Sequence, residues 1–566
     1  MRKRAQGGMG AVVLCAAVLV GVPAGAVAAE DGPQVEYTVV AESGASATDV
    51  TRAIQAAGGR IVDRNAAIGT FRVMGPAAGF IEAVSASTAV YGAVGLRPIG
   101  SIPDLAPEKL SDPEVEQIHE GNPGGPRHGG STAGMDPLDE LAWGLAMVRS
   151  DLARSVNAGD ARVLVGIIDS GIDGSHPDVA AQLEADLSRN FTVDIPAIDG
   201  ACEFATCTDP PNWDDSGHGT HVAGTVAAAA NGFGVSGVAP GVRLVSLRGG
   251  QDSGYVFLQP VVDALTYAAD IGVDVVNMSF YVDPWLYNCT TNPADSPAAQ
   301  LEQRTIIEAM NRALNYAHSN YVTLVGSLGN NHEDLGHPRP DNTSPDYPPG
   351  TSYLRTIDNA TCVDLPVEGP HVIGVSALGP TTAKADYSNY GIEQISVSAP
   401  GGYFRDGLGT PTYRTNGNQI LSTYPLHVLQ ARNLVDAAGN ITPAGQGLVF
   451  KDCDGDDCGY YTYLQGTSMA SPHASGVAAL AVSRFGVKDP RHKGELRLAP
   501  WKTELVLTGG AAEHPCPDPP LMDYTPVGRP AEFNALCEGD AAFNGFYGFG
   551  IVDAYATVTG TFEFPD

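Results

Sequence analysis

The chain has 566 residues, of which 43% are hydrophobic and 17% charged, enough apolar content to bury a core and too much to leave the chain disordered. Its formal charge of −32 argues against nucleic acid as a partner, because phosphate binding needs a basic face. An acidic, solvated surface is the plainer expectation.

The N-terminus reads as a secretory signal over 1–28. Arg2, Lys3 and Arg4 precede the short apolar run Ala11 to Val20, and Ala26-Val27-Ala28 offers a cleavage point. The run is short for a membrane span, and Leu14 before Cys15 does not suit lipid attachment, so a released, extracellular protein without a membrane anchor is expected. Without Cys15 eight cysteines remain, an even number that implies disulfides in an exported chain. Pairing in sequence order (Cys202 with Cys207, Cys289 with Cys362, Cys453 with Cys458, Cys516 with Cys537) is favoured among many connectivities. No Cys-x-x-Cys pair supports a zinc site.

Residues 35–97 read as a small α+β unit. Val35 to Val40 predicts a strand, Ala47 to Ala57 a helix ended by Gly58-Gly59, and a short strand follows near Ile61. Ile68 to Val73, a helix over Ala77 to Ser87 and a strand over Ala89 to Leu96 complete a ferredoxin-like order. Residues 98–135, rich in Pro, Gly, Ser and charge, read as a linker. From 136 to 562 short β-branched runs alternate with helical patterns. The runs are Val163 to Ile168, Val242 to Leu247, Val273 to Met278, Tyr321 to Val325, His371 to Ser376 and Ile395 to Ser398. Such a pattern predicts an α/β domain with a parallel sheet covered by helices on both faces, whose sites lie at the carboxyl ends of strands.

Three segments carry chemistry. Ile167-Ile168-Asp169-Ser170-Gly171 ends a buried strand in a carboxylate. Ser216-Gly217-His218-Gly219-Thr220-His221 places an imidazole at a helix start, and Gly466-Thr467-Ser468-Met469-Ala470 places a serine on a turn entering a helix. Acyl transfer needs this set: a hydroxyl nucleophile, a neutral base near pH 7, and a carboxylate that orients the base. His176, His221 and His473, like Asp173 and Asp215, read as structural neighbours.

These segments, in the chain order Asp, His, Ser, resemble the subtilase family of secreted bacterial serine peptidases. The resemblance implies a subtilisin-like fold and a triad of Asp169, His218 and Ser468. It also implies an oxyanion donor, for which Val325-Gly326-Ser327-Leu328-Gly329-Asn330 offers Asn330. Substrate would lie as an extra strand between Ser253-Gly254 and Ser279-Phe280-Tyr281, with Ser327, Leu328 and Gly329 flooring the primary pocket. Tyr281 and Leu328 depart from the family's smaller residues and leave specificity open between a broad endopeptidase and a narrow processing peptidase. Catalysis needs no cofactor on this reading. Structural Ca²⁺ is expected at Asp139, Asp178 and Asn231, with Asp136 an alternative to Asp139. An acidic turn at Asp452 to Cys458 reads as solvated rather than as a second site. Residues 35–97 would be a propeptide that chaperones and inhibits, and the protein a monomer acting on proteins or peptides. A non-catalytic binding protein on the same fold is the alternative from another class. Stretches 189–214, 281–300, 337–367 and 402–464 exceed the family's usual length and read as surface loops stapled by disulfides.

Overall fold

The computed structural model describes residues 33–95, 100–101, 136–196, 199–254, 256, 258–282, 284–345 and 350–565. The signal reading and most of the linker fall outside them. Among the described residues no helix is long and apolar enough to cross a membrane.

The N-terminal unit is a four-stranded antiparallel sheet in the order Arg60–Asn65, Thr70–Pro76, Gln34–Ala41, Val90–Gly95. Helices Ala47–Ala56 and Phe80–Ser85 complete it, so the element order is that of the ferredoxin-like expectation. The first helix is capped by the Ser46 hydroxyl, which accepts from the Asp49 N–H. It buries Val50 and Ile54 against Tyr37, Phe71, Val73 and Phe80. The second helix begins at Phe80 rather than Ala77, because Gly79 in the left-handed region turns the chain just before it.

The large unit is built on seven parallel strands in the order Ile395–Pro400, Val372–Leu378, Thr323–Ser327, Val275–Met278, Leu164–Asp169, Arg243–Arg248, Arg189–Asn190. Alternation along Leu164–Asp169 shows why it is central. Val165 and Ile167 face one core with helices His218–Ala227 and Thr467–Phe485, while Leu164 and Ile168 face a second core with Leu258–Ile271 and Pro297–Ser319. Each such buried side chain contributes roughly 1.5–3 kcal/mol over leaving it exposed. At the head of two of the apolar runs Tyr321 and His371 take positive φ (76° and 68°) in turns, and regular pairing begins just beyond them.

The small unit sits on the second core. Val40, Ile68 and Val94 join it, Asn65 donates to Asp263 and Thr266 (both 2.7 Å), and Arg312 donates to the carbonyls of Ala41 (2.9 Å) and Ile68 (3.2 Å). The four disulfides pair in sequence order. Residues 402–464, expected as a loop, instead build a three-stranded antiparallel sheet of Ile420–Thr423, Asp457–Leu464 and Val449–Asp454. Its Tyr460, Tyr461 and Tyr463 are buried. The correction has a simple cause: Gly459 to Leu464 are buried on both faces, Tyr460 and Leu464 in the main core and Tyr461 and Tyr463 in a smaller one, which a reading of the stretch as an added loop does not anticipate. At its tip Asp454, Asp456 and Asp457 are exposed.

Lys384 is buried with its Nζ donating to the Ala385 carbonyl at 2.8 Å, facing the rings of Tyr390 and Tyr524. Burial pulls its pKa down to about 7. Between that value and the unfolded value near ~10, the unfolded chain binds more protons than the folded one. Stability therefore rises with pH through this window, by at most about 1.4 kcal/mol per pH unit. Lys384→Met is expected to remove that slope in urea titrations at pH 7.5 and 9; equal slopes in parent and variant would contradict it.

Candidate active site

Asp169 is the last residue of its strand and His218 the first of its helix. The imidazole Nδ1 lies 2.8 Å from Asp169 Oδ1 and 3.0 Å from Oδ2, with both side chains buried. A carboxylate here fixes the tautomer that carries its proton on Nδ1. The approach is close enough that a Cβ at Gly219 would meet the Gly171 carbonyl at 2.1 Å, so the residue after His218 has to be glycine.

Two residues not singled out in the sequence hold this arrangement. Asp214, fully buried, accepts from the Ser170 hydroxyl (2.8 Å), from the N–H groups of Ser216 (3.1 Å), Gly217 (3.0 Å) and Thr220 (2.9 Å), and from the Thr220 hydroxyl (2.5 Å). It satisfies the N-terminus of the histidine helix. Ser170 in turn accepts from the Gly219 N–H at 3.1 Å. An acid just ahead of a helix start is a capping signal, and that pattern could have identified Asp214.

Ser468 is the second residue of Thr467–Phe485, a helix buried along most of its length and packed against the histidine helix. The first N–H groups of a helix have no partner in the preceding turn, so the Ser468 N–H belongs to a set suited to developing negative charge. Its hydroxyl donates to the Ser279 carbonyl at 3.3 Å, a long contact of the kind resting sites show before substrate enters. The Ser279 hydroxyl donates back to the Ser468 carbonyl at 2.9 Å and lies 2.8 Å from the Ser471 hydroxyl.

Asn330 lies beside the same turn. Its Oδ1 accepts from both the N–H and the hydroxyl of Thr467 at 2.9 Å. With the oxygen held, the donor end of the amide is its NH2 group, as oxyanion stabilisation requires. The loop before it is pinned by Asn389, whose Nδ2 donates to the Leu328 carbonyl (2.9 Å) and whose Oδ1 accepts from Asn331 and Glu333 (both 2.9 Å). Gly329, at φ 102°, leaves the room: a Cβ there would meet Asn389 Nδ2 at 2.5 Å. Asn389 comes from a distant loop, and no local pattern marks it. Asn330→Ala is expected to lower kcat by about 10²–10³-fold with little change in KM; steady-state kinetics showing a loss confined to KM would count against this role.

The expected substrate walls divide. Leu328 is fully buried and packs with Leu286, Tyr287, Leu335 and Val367. Phe280 is buried in the second core. Both side chains are thus packed in cores, which corrects their reading as walls. Ser279 is buried beside Ser468, Ser327 is buried, and Ser253 and Gly254 follow the end of Arg243–Arg248. The Tyr281 side chain lies outside the described residues, but the backbone strand Tyr281–Val282 pairs antiparallel with Gly100–Ser101.

His176, His221 and His473 each contact a backbone carbonyl, of Tyr460 (3.0 Å), Ile420 (3.0 Å) and Met469 (2.8 Å). Burial pulls them down to about 4, 3 and 4 respectively, so they stay neutral. Asp173 accepts from Ser175, and Asp215 from the Trp213 indole.

For calcium, the structure brings Asp178 and Asn231 together at 3.2 Å. Asp139 instead accepts from the N–H (2.8 Å) and hydroxyl of Ser236 and pairs with Arg154 at 3.3 Å. Its carboxylate is thus committed to a hydroxyl and a guanidinium, and Asp136 takes the place expected for it. Asp136 accepts from the N–H groups of Gly232 (2.6 Å) and Asn231 (3.4 Å). Burial pushes Asp136 up to about 6 and Asp178 to about 7, with the Asp136 charge adding to the latter. Two buried carboxylates that repel one another fit a hard cation. Asn231 as placed presents its nitrogen and does not.

The sequence profile of the subtilase family matches residues 160–513, a span containing Asp169, His218, Asn330 and Ser468. Fervidolysin of Fervidobacterium pennivorans is 30% identical over 389 residues, 66% of this chain and 41% of that protein. Subtilisin DY of Bacillus licheniformis is 27% identical over 345 residues, 61% of this chain and 85% of its own length. The chain thus spans less than half of the first of these relatives. Among solved structures, the epidermin leader peptide processing serine protease of Staphylococcus aureus aligns over 93% of this chain and 98% of its own, with a TM-score of 0.60 and 18% identity. The fervidolysin crystal structure aligns over 94% of this chain and 62% of its own, at TM-score 0.57 and 22% identity. At such identities the structures speak for the fold alone. With the profile covering more than half of the chain and the Asp169–His218 pair within it, the chain belongs to the subtilase family.

Proposed function

We propose that the protein is a secreted serine endopeptidase, made as a zymogen that processes itself, with Asp169, His218 and Ser468 as its triad. The observation that carries this reading is the buried Asp169–His218 hydrogen bond at 2.8 Å, on a helix packed against the one that Ser468 begins. Ser468 Oγ attacks the scissile carbonyl carbon as His218 Nε2 takes its proton, and the carbonyl oxygen becomes an oxyanion held by Asn330 Nδ2 and the Ser468 N–H. Collapse breaks the C–N bond, and the amine leaves with the proton from His218. Water then adds to the acyl-enzyme by the same route in reverse, releasing the acid and restoring the hydroxyl. Asp169 holds the imidazole tautomer throughout. Each step is assigned to a side chain or backbone group of this chain.

The N-terminal unit acts, on this proposal, as propeptide and inhibitor. It packs on two helices of the large unit, and the pairing of Gly100–Ser101 with Tyr281–Val282 lays its trailing segment along a substrate wall. Structural calcium at Asp136 and Asp178 belongs to the same reading.

The test is to purify the full chain, follow its fragmentation on standing, react it with a fluorophosphonate, and identify cut sites in mixed peptides by mass spectrometry. Label on Ser468, release of the N-terminal unit and cleavage within peptides are expected. An unlabelled, uncut and inert protein would sink the proposal. The spread of cut sites also separates broad from narrow specificity.

A further inference from the structure

Residues beyond 513 lie outside the match to the subtilase profile. There, ahead of the helix Ala554–Thr559, the Cys516–Cys537 disulfide closes a segment with pairing of its own. Leu521–Met522 runs antiparallel to Ala535–Leu536, and the Tyr524 N–H donates to Asn534 Oδ1 at 2.9 Å. The segment is also fixed to the large unit. Tyr524 and Phe533 are buried in the main core, and the Tyr524 hydroxyl donates to the Lys384 carbonyl at 2.8 Å. Arg529 pairs with Asp386 at 2.6 Å, and its guanidinium lies 4.7 Å from the centroid of the Phe533 ring.

Two contacts lead from this segment to the loop that carries Asn330. The Phe533 ring stacks on the imidazole of His332, with centroids 3.7 Å apart and planes 14° from parallel. Arg339 spans the same junction. It donates to the Asn331 carbonyl at 3.2 Å and to the Glu532 carbonyl at 3.4 Å, and it pairs with Glu333 at 2.6 Å. His332 is where the loop bends. Its φ of 49° lies in the left-handed region, which a residue with a side chain enters at a cost. The N–H groups on either side of the bend, of Asn331 and Glu333, converge on Asn389 Oδ1, both at 2.9 Å. Burial, together with the charges of Arg339, Lys384 and Arg529, pulls the His332 pKa down to about 3. The ring therefore stays neutral and can pack on Phe533 with no charge to desolvate.

We propose that Phe533 and His332 are positioning residues for Asn330: the disulfide-closed segment braces the bend at His332 and so fixes where the oxyanion donor stands. The inference rests on the reading of Asn330 as that donor. Thr467 orients the Asn330 side chain, and the stack holds the backbone that carries it. A donor aimed at charge that develops only in the transition state acts best when it is held in place beforehand. A misplacement of about 1 Å can cost about 10²-fold in rate.

His332→Gly and Phe533→Ala, each alone and combined with Asn330→Ala, are compared in the full chain by steady-state kinetics on a peptide that the parent cleaves. Glycine removes the imidazole yet accepts a positive φ without strain. That variant keeps the turn, and it decides the matter if Phe533→Ala does not fold. Each single variant is expected to lower kcat about 10- to 100-fold with KM little changed. In the Asn330→Ala background neither is expected to lower kcat further, because the amide they position is already gone. A purely structural role would give losses that multiply with that of Asn330→Ala. Such multiplied losses, or a His332→Gly protein with parental kcat, overturn the proposal. An Asn330→Ala protein with parental kcat overturns the reading of Asn330 itself.

Discussion

Ser468→Ala is expected to lower peptide turnover by about 10⁵–10⁶-fold while leaving the fold in place. At about 1.4 kcal/mol per decade this is roughly 7–8 kcal/mol of barrier. The figure is large because Ser468 and His218 act as a unit: without the hydroxyl there is nothing for the base to deprotonate and no acyl-enzyme forms. What remains is water attack beside Asn330 and the helix N-terminus. The fold survives because, among the described residues, the hydroxyl makes only a long bond, to the Ser279 carbonyl, and the methyl group stays in a buried site. The same variant is expected to keep residues 33–95 attached to the rest of the chain on denaturing gels, since release depends on the site. Stopped assays on a peptide cut by the parent measure the first effect. A variant retaining a tenth of parental activity would exclude Ser468 as nucleophile.

Arg355→Met should produce the largest loss of stability. Arg355 is 0% exposed, and its guanidinium meets Asp341 at 2.6 Å, Asp295 at 3.5 Å, the Tyr287 carbonyl at 3.0 Å and Gln303 Oε1 at 3.2 Å. It lies over the Trp285 ring with 4.6 Å to the centroid. Removing the cation strands two buried carboxylates, and breaking a buried pair in this way costs about 3–5 kcal/mol. Burial would raise the Asp341 pKa, but hydrogen bonds from Ser344 and Arg355 outweigh it and hold the carboxyl below its usual value. Its contribution is therefore present above the unfolded value near ~4 and lost as pH falls through the folded one. In the variant the stranded carboxyl instead takes up a proton readily, so the difference from parent should shrink toward acid pH. Urea denaturation at pH 7 and pH 4, both in the Ser468→Ala background, measures this. A loss below about 1 kcal/mol at pH 7 would contradict it.

The chemistry carried by contiguous segments is legible without the fold. A buried strand ending in Asp169, an imidazole between glycines in His218-Gly219 and a serine entering a helix at Thr467-Ser468 are local arrangements. Each needs only its own strand end, turn or helix start, and the structure brings the first two into contact through the parallel sheet that the β-branched runs predict. The same holds for the N-terminal unit, whose helices and strands follow from short-range periodicity.

Which way the side chains of those segments face depends on long-range packing. Leu328 and Phe280 sit in motif positions, but their side chains turn into cores assembled from distant strands. Asp139 is taken by Ser236 and Arg154, and Asp136 stands where it was expected. Asn389 pins the oxyanion loop from 59 residues beyond Asn330, and Asp214 supports the histidine helix through bonds that reach back to Ser170. Within residues 402–464 a sheet forms because Gly459 to Leu464 are covered on both faces by clusters that other parts of the chain complete. Burial and charge pairing depend on what arrives from elsewhere in the chain, and no single stretch of sequence contains both partners.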